Sequence, residues 1–342
     1  MAAHQARYRN ALPQLNGDLY LTDAGLETDL IFNHGIDIKG FAAHTLLPEK
    51  MGRLALTNYY RGFLSLAQTM NTGFILDGTT WKAHAHWADE LGESIDDLRA
   101  ANQASVAYIA ELRDEYANNK RPILLNCSLG PRGDAYAPDY QISIREAEDY
   151  HALQVSWLAG TQVDMITAMT FTQAEEAIGA VRAAQTANLP IVVSFTVETD
   201  GLLPTGQSLQ NAIDQVDRET DKGAIYFMVN CAHPDHFPDD LTTDSPAPIR
   251  PSPDILSANS LFENNTKDRD WAKRIKGIRC NASRMSHAEL DNCAELDAGD
   301  PDELGRQYKT IYNKMPWLNI FGGCCGSDLR HVTEIARAVT RA

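Results

Sequence analysis

Cys231, Cys324 and Cys325 are the residues of this 342-residue chain whose type and spacing point most directly to chemistry. Two stand side by side in FGGCCGSD (321–328) and the third lies in VNCAHP (229–234), each just past a short apolar run. Adjacent cysteines are poorly placed to bridge each other, and six cysteines in so long a chain are too sparse for a disulfide scaffold. Three thiolates gathered at one point suit Zn2+, which takes soft sulfur in tetrahedral geometry and becomes catalytic when its fourth position stays open. A cysteine is also a small buried hydrophobe, and Cys280 and Cys293 read that way; Cys127, at a strand end, reads as either. His233 and His236 follow Cys231 closely and compete as ligands, while the pair His84 and His86 reads as packed or solvated. Asp23 and Asp77 either face the same site or cap the helices that follow them.

The elements that must position these side chains recur along the whole sequence. Eight short apolar runs read as strands: GDLYLTD from 17, GFILD from 73, PILLNC from 122, VDMITAM from 163, PIVVSFTV from 190, AIYFMVN from 224, IKGIRCN from 275 and WLNIF from 317. Most are apolar almost throughout, as strands buried on both faces of a parallel sheet are. Stretches of helical spacing alternate with them, among them the segments beginning SIDDLRAAN, QISIREAED, QAEEAIGAV and SLQNAIDQV. Ser94 with Asp97 forms a capping box, and Gly160 closes a helix just before a strand. Eight strand and helix units predict an α/β fold of the (β/α)8 TIM-barrel type, with an open doubly wound sheet as the alternative. Residues 1–342 then form a single barrel domain. The one break in rhythm is 231–253, which carries six of the 15 prolines and reads as a long loop, or else as a linker.

In such a barrel the site lies past the carboxyl ends of the strands, so the residues there are the ones to read. They are Asp23; Asp77, Thr79 and Thr80; Asn126, Cys127 and Ser128; Met169 and Thr170; Thr196 and Glu198; Asn230 and Cys231; Asn281; Cys324 and Cys325. Gly322 and Gly323 would turn the backbone after the last strand, and Gly326 would free it before a helix near Ser327.

Composition narrows the function. With 30 Lys and Arg against 46 Asp and Glu, the chain carries a net charge of −16, which repels phosphate backbones and anionic lipid and argues against nucleic-acid binding. No stretch approaches the ~18 apolar residues of a membrane span, and the first residues lack the apolar core of a secretory signal, so a cytoplasmic protein is expected.

The two cysteine motifs together resemble the signature of the homocysteine S-methyltransferase family, zinc-dependent barrels that move a methyl group onto a thiol. LTDAGLETDL (21–30) is similar to that family's first-strand motif, CSLGPRGDAY (127–136) to its loop after strand three, and VVSFTVETDGLLPTGQSLQNAI (192–213) to its strand-five block. IKGIRCNASRMSHAELDNCAELDAGD (275–300) fits as well, and the resemblance spans about 17–340. It implies Zn2+ on Cys231, Cys324 and Cys325, with the acceptor thiol as fourth ligand, Asp23 near the acceptor's amino group, and Asn230 preceding the first ligand. Two places depart from the family pattern. Met169 stands where a glutamate is usual after strand four, and DGTTWKAH (77–84) replaces a block rich in Thr and Asn. Either the acceptor is not homocysteine, or Asp77 or Glu198 supplies the missing charge, because an ammonium group left unpaired in a partly dry pocket is costly.

The chemistry implied is in-line displacement. A zinc-held thiolate takes a methyl group from a small sulfonium or ammonium donor, with S-methylmethionine or S-adenosylmethionine favoured over a betaine or dimethylsulfoniopropionate, and homocysteine becomes methionine. Trp81 or Tyr136 would hold the cationic donor against an aromatic face. Donor and acceptor are the partners expected, since one barrel leaves no room for folate or cobalamin domains. Zinc-dependent hydrolysis is disfavoured by the all-sulfur ligands. A non-catalytic zinc or thiol-binding protein is the alternative from another class.

Overall fold

The computed structural model describes residues 5–116, 121–135, 140–238, 241, 270–293 and 295–340. Eight parallel strands close into a barrel in the order of the sequence: β1 (Tyr20–Leu21), β2 (Gly73–Gly78), β3 (Ile123–Leu129), β4 (Met165–Phe171), β5 (Ile191–Phe195), β6 (Ala224–Asn230), β7 (Ile275–Cys280) and β8 (Ile320–Gly323). Closure comes from β1 pairing with β8, with Tyr20 beside Ile320 and Leu21 beside Phe321. The (β/α)8 expectation therefore holds, and each of the eight runs read as a strand supplies one.

The helices pack outside. Besides the short turns of helix Leu26–Thr28, Ala88–Leu91 and His287–Asp291, they are α1 (Lys50–Met70), α2 (Ile95–Glu115), α3 (Ile144–Ala159), α4 (Ala174–Thr186), α5 (Leu209–Thr220), α6 (Asp270–Lys273), α7 (Pro301–Lys314) and α8 (Leu329–Thr340). Ser94 caps α2 in a reciprocal box with Asp97, and Ser143 caps α3 in the same way with Glu146. Gly160 does end α3, in a right-handed conformation that needs no glycine.

Because the strands are covered on both sides, nearly every strand residue is buried. One apolar cluster fills the space between strands and helices; a smaller one, with Tyr20, Leu124, Met165, Tyr226 and Met228, plugs the barrel interior. The loop after β6 is described only in part: Pro234–His236 form a single 3-10 turn, while 239–240 and 242–253 lie outside the described residues, as does Tyr136. No helix among the described residues is long and apolar enough to cross a membrane.

Candidate metal and acceptor site

Cys231 follows β6 and Cys324 and Cys325 follow β8, so barrel closure alone brings them to one end. Their sulfurs lie within 4.8 Å of one another, and Cys231 Sγ is 3.9 Å from Cys325 Sγ. Among the described residues this is the group of metal-ligating side chains that converges. Gly322 and Gly323 are still inside β8; the turn comes at Gly326, whose φ of +77° is the left-handed region that glycine enters without penalty.

Two residues that are not glycine also sit at positive φ here, Cys231 at +55° and Thr170 at +64°. For a β-branched residue this is strained, and such strain persists only where the surroundings fix it. Asn230 supplies the fixing. Its side chain is fully buried; Oδ1 accepts from Thr170 N at 3.1 Å and Ser194 Oγ at 2.6 Å, and Nδ2 donates to Thr170 Oγ1 at 2.7 Å. The same Nδ2 lies 3.8 Å from Cys324 Sγ, where an N–H favours ionised sulfur. Asn230 thus locks the bulge of β4 between Met169 and Phe171 to the first and second thiols and does not itself line the cavity.

The Cys231 carbonyl is held as well. His287 Nε2 contacts it at 2.6 Å and Asn281 Nδ2 donates to it at 3.0 Å. Glu198 lies 2.8 Å from His287 Nδ1, and this hydrogen bond holds the carboxylate below its usual range. Glu198 is therefore engaged behind Cys231 and does not line the cavity.

Hydrogen bonding to Cys231 pushes the Cys324 thiol up to about 12, burial adds to the rise, and Cys325 is raised well above its ordinary value by both neighbours. Three sulfurs crowded this closely ionise together only when a cation compensates them, and an all-sulfur donor set of this kind fits Zn2+.

The sulfurs open onto a cavity of about 430 Å³, lined also by Asp23, Glu27, Asp77, Trp81, Met169 and Arg279. Asp23 and Asp77 are not helix caps. Both pair with Arg279, a buried guanidinium at the end of β7: Nη2 donates to Asp23 Oδ1 at 2.5 Å, Nη1 donates to Asp77 Oδ2, and Nε donates to the Gly323 carbonyl at 3.1 Å. Asp23 Oδ2 also accepts from Tyr59 at 3.3 Å, and Asp77 Oδ1 from Asn126 at 2.5 Å. Burial pushes Asp23 up to about 7 against the pull of Arg279, with Asp77 adding to the rise. The two carboxylates thus share one positive charge.

Met169 reaches the cavity wall, and its backbone carbonyl accepts from Trp81 Nε1 at 3.0 Å, so Trp81 is oriented from β4. The remaining candidates go elsewhere. His84 is buried against Tyr150, and burial lowers its basicity; His236 bonds the Arg284 carbonyl; His233 faces Asp235. Cys127 and Cys280 are fully buried, whereas Cys293 lines the cavity. Arg279, Glu27 and His287 were not singled out from the sequence. For Arg279 the available signal was a charge inside an otherwise apolar strand, and for Glu27 a charge in the apolar turn after β1.

Solved structures with this architecture include the homocysteine methyltransferase MmuM from Escherichia coli. Its metallated form is 17% identical with a TM-score of 0.67, covering 97% of this chain and 100% of that one. Its oxidised form is 15% identical with a TM-score of 0.67, covering 96% and 98%. At these identities the likeness concerns the fold. No curated protein sequence matches the chain. The family model for homocysteine S-methyltransferase matches residues 20–339, nearly the whole length. The chain therefore belongs to the homocysteine S-methyltransferase family and is a methyltransferase enzyme.

Proposed function

We propose that this enzyme is a single-domain, zinc-dependent S-methyltransferase that moves a methyl group from a small sulfonium or ammonium donor to the thiol of homocysteine, giving methionine. The observation that carries the reading is the convergence of Cys231, Cys324 and Cys325 within 4.8 Å at the floor of a cavity past the strand ends. These three thiolates would hold the metal. The chemistry that Zn2+ supplies when bound is a lowered thiol pKa with the sulfur left nucleophilic.

This chain's own residues do the rest. Asn230 and His287 fix the backbone that carries the thiols, so the three sulfurs are held in one arrangement. Trp81, oriented by the Met169 carbonyl, offers a flat face to a cationic donor. The acceptor sulfur forms a bond to the methyl carbon as the donor's own sulfur–carbon or nitrogen–carbon bond breaks. The donor leaves as a neutral thioether or amine and needs no general acid. S-methylmethionine and S-adenosylmethionine are the favoured donors, and the free thiols fit a reducing cytoplasm.

Replacing Cys324 by serine tests this directly. The account expects C324S to bind less than one zinc per chain and to lose methyl transfer at the same time; normal transfer by the zinc-poor variant would sink it.

A further inference from the structure

Homocysteine carries an ammonium group four bonds from its sulfur, and a cavity that takes the sulfur must also receive that charge or bear the cost of stripping it of water. Met169 cannot pair with it. Asp23 and Asp77 are poorly available, because all four of their oxygens already accept from Arg279, Tyr59 or Asn126. Glu198 is turned to His287. Of the other cavity-lining carboxylates, Asp134, Asp291 and Glu295 are exposed, and Asp297 accepts from Ser283 at 2.7 Å.

Glu27 is different. It stands in the one-turn helix Leu26–Thr28 that follows β1, and this turn is sewn to the cysteine pair. Gly25 N donates to the Ser327 carbonyl at 3.3 Å, and Gly326 N donates to Thr28 Oγ1 at 3.1 Å. The approach is close enough that a Cβ on Gly25 would lie 2.6 Å from the Cys324 carbonyl oxygen, so glycine is required there. The Glu27 side chain lines the same cavity as the three thiols, and among the described residues no side chain donates to its carboxylate. Burial pushes it up to about 7, its own backbone N–H and the more distant Arg279 oppose, and Asp23 and Cys324 add to the rise. It is a partly desolvated carboxylate beside the thiols; Lys82 and Arg279 act on it only through space, and Arg279 already donates to Asp23 and Asp77.

We infer that Glu27 receives the ammonium group of the acceptor amino acid, making from the β1 turn the contact that Met169 does not make from β4. The inference rests on the homocysteine reading above and adds the residue that selects an amino-acid thiol over a plain mercapto acid.

Calorimetric titration of zinc-loaded protein, without any methyl donor, tests it. The ligands are homocysteine and 4-mercaptobutyrate, which has the same carbon chain and carboxylate but no amino group. The wild type should prefer homocysteine. Glu27→Gln should weaken homocysteine binding about tenfold or more, the usual size of a lost hydrogen bond to a charged group, while both proteins bind 4-mercaptobutyrate alike; Glu27→Asp should recover part of the loss. Steady-state kinetics should show the E27Q effect in KM for homocysteine and not for the donor. Equal weakening for both thiols, undiminished homocysteine binding by E27Q, or a raised donor KM alone would overturn it. Homocysteine bound equally by wild type and E27Q removes only Glu27's role. Failure of the wild type to bind either thiol removes the acceptor reading along with it.

Discussion

At the scale of single residues, Arg279 is the side chain on which the polar half of the cavity depends. It compensates Asp23 and Asp77 at once, and its partners lie 256 and 202 residues away in sequence. Removing one member of a buried ionic group leaves uncompensated charge, a loss of about 3–5 kcal/mol. Arg279→Met should therefore lower the free energy of urea unfolding by about that much at neutral pH, and adding Asp77→Asn should restore part of it. A loss under about 1 kcal/mol, the size of a surface pair, would show that the guanidinium is not what holds the two carboxylates. The cysteines were legible in the sequence because an adjacent pair of thiols is poorly placed to bridge itself and few other roles suit it. Arg279 was not, since a charge within IKGIRCN acquires meaning only when β1 and β2 are known to lie on the same barrel mouth. Glu27 was hidden for the same reason: its place in the cavity comes from the contact of the 25–28 turn with 324–327.

At the scale of elements, the strands could be read because burial on both faces leaves most of them apolar almost throughout. The irregularities could not. Strand β1 has only Tyr20 and Leu21 in the ladder although seven residues read as strand-like, and the bulge of β4 at Thr170 is imposed by Asn230 from β6. Nothing local in VDMITAM announces a left-handed threonine. The start of α8 carries a prediction of its own. Asp328 Oδ1 accepts from Arg330 N at 2.8 Å and contacts His331 Nδ1 at 2.9 Å, and Oδ2 accepts from Arg330 Nη2 at 2.6 Å. Burial opposes its ionisation, yet these hydrogen bonds hold it well below the usual carboxylate range. A carboxylate lowered in the folded state contributes stability that is present above its unfolded pKa of about 3.9 and fades as pH falls through the folded value. Asp328→Asn, which keeps a capping oxygen but removes the charge that pairs with Arg330 and His331, should accordingly cost about 0.5–1 kcal/mol at pH 7, and the gap from wild type should close as the solution is taken well below pH 4 in chemical denaturation. A gap that stays constant in acid would contradict this origin.

At the scale of the whole molecule, the three thiols proposed to hold zinc lie on loops after β6 and β8, so a metal bound there would tie these two strands of the barrel together. A ligand taken up only by the folded chain stabilises it by mass action, about 4 kcal/mol when free zinc stands at 1,000 times its dissociation constant. Chelation should lower Tm by several degrees and zinc should restore it, whereas C324S should show neither response; a wild-type Tm indifferent to chelator would speak against a zinc site. The net charge of −16 agrees with a cationic methyl donor, which such a surface attracts. The measurement closest to the central claim is formation of methionine by the zinc-loaded enzyme from homocysteine, with S-methylmethionine, S-adenosylmethionine, glycine betaine and dimethylsulfoniopropionate offered one at a time. The account predicts methionine, equimolar with demethylated donor, from one of them and most readily from a sulfonium. No methionine from any of the four, in protein that holds one zinc per chain, would contradict it.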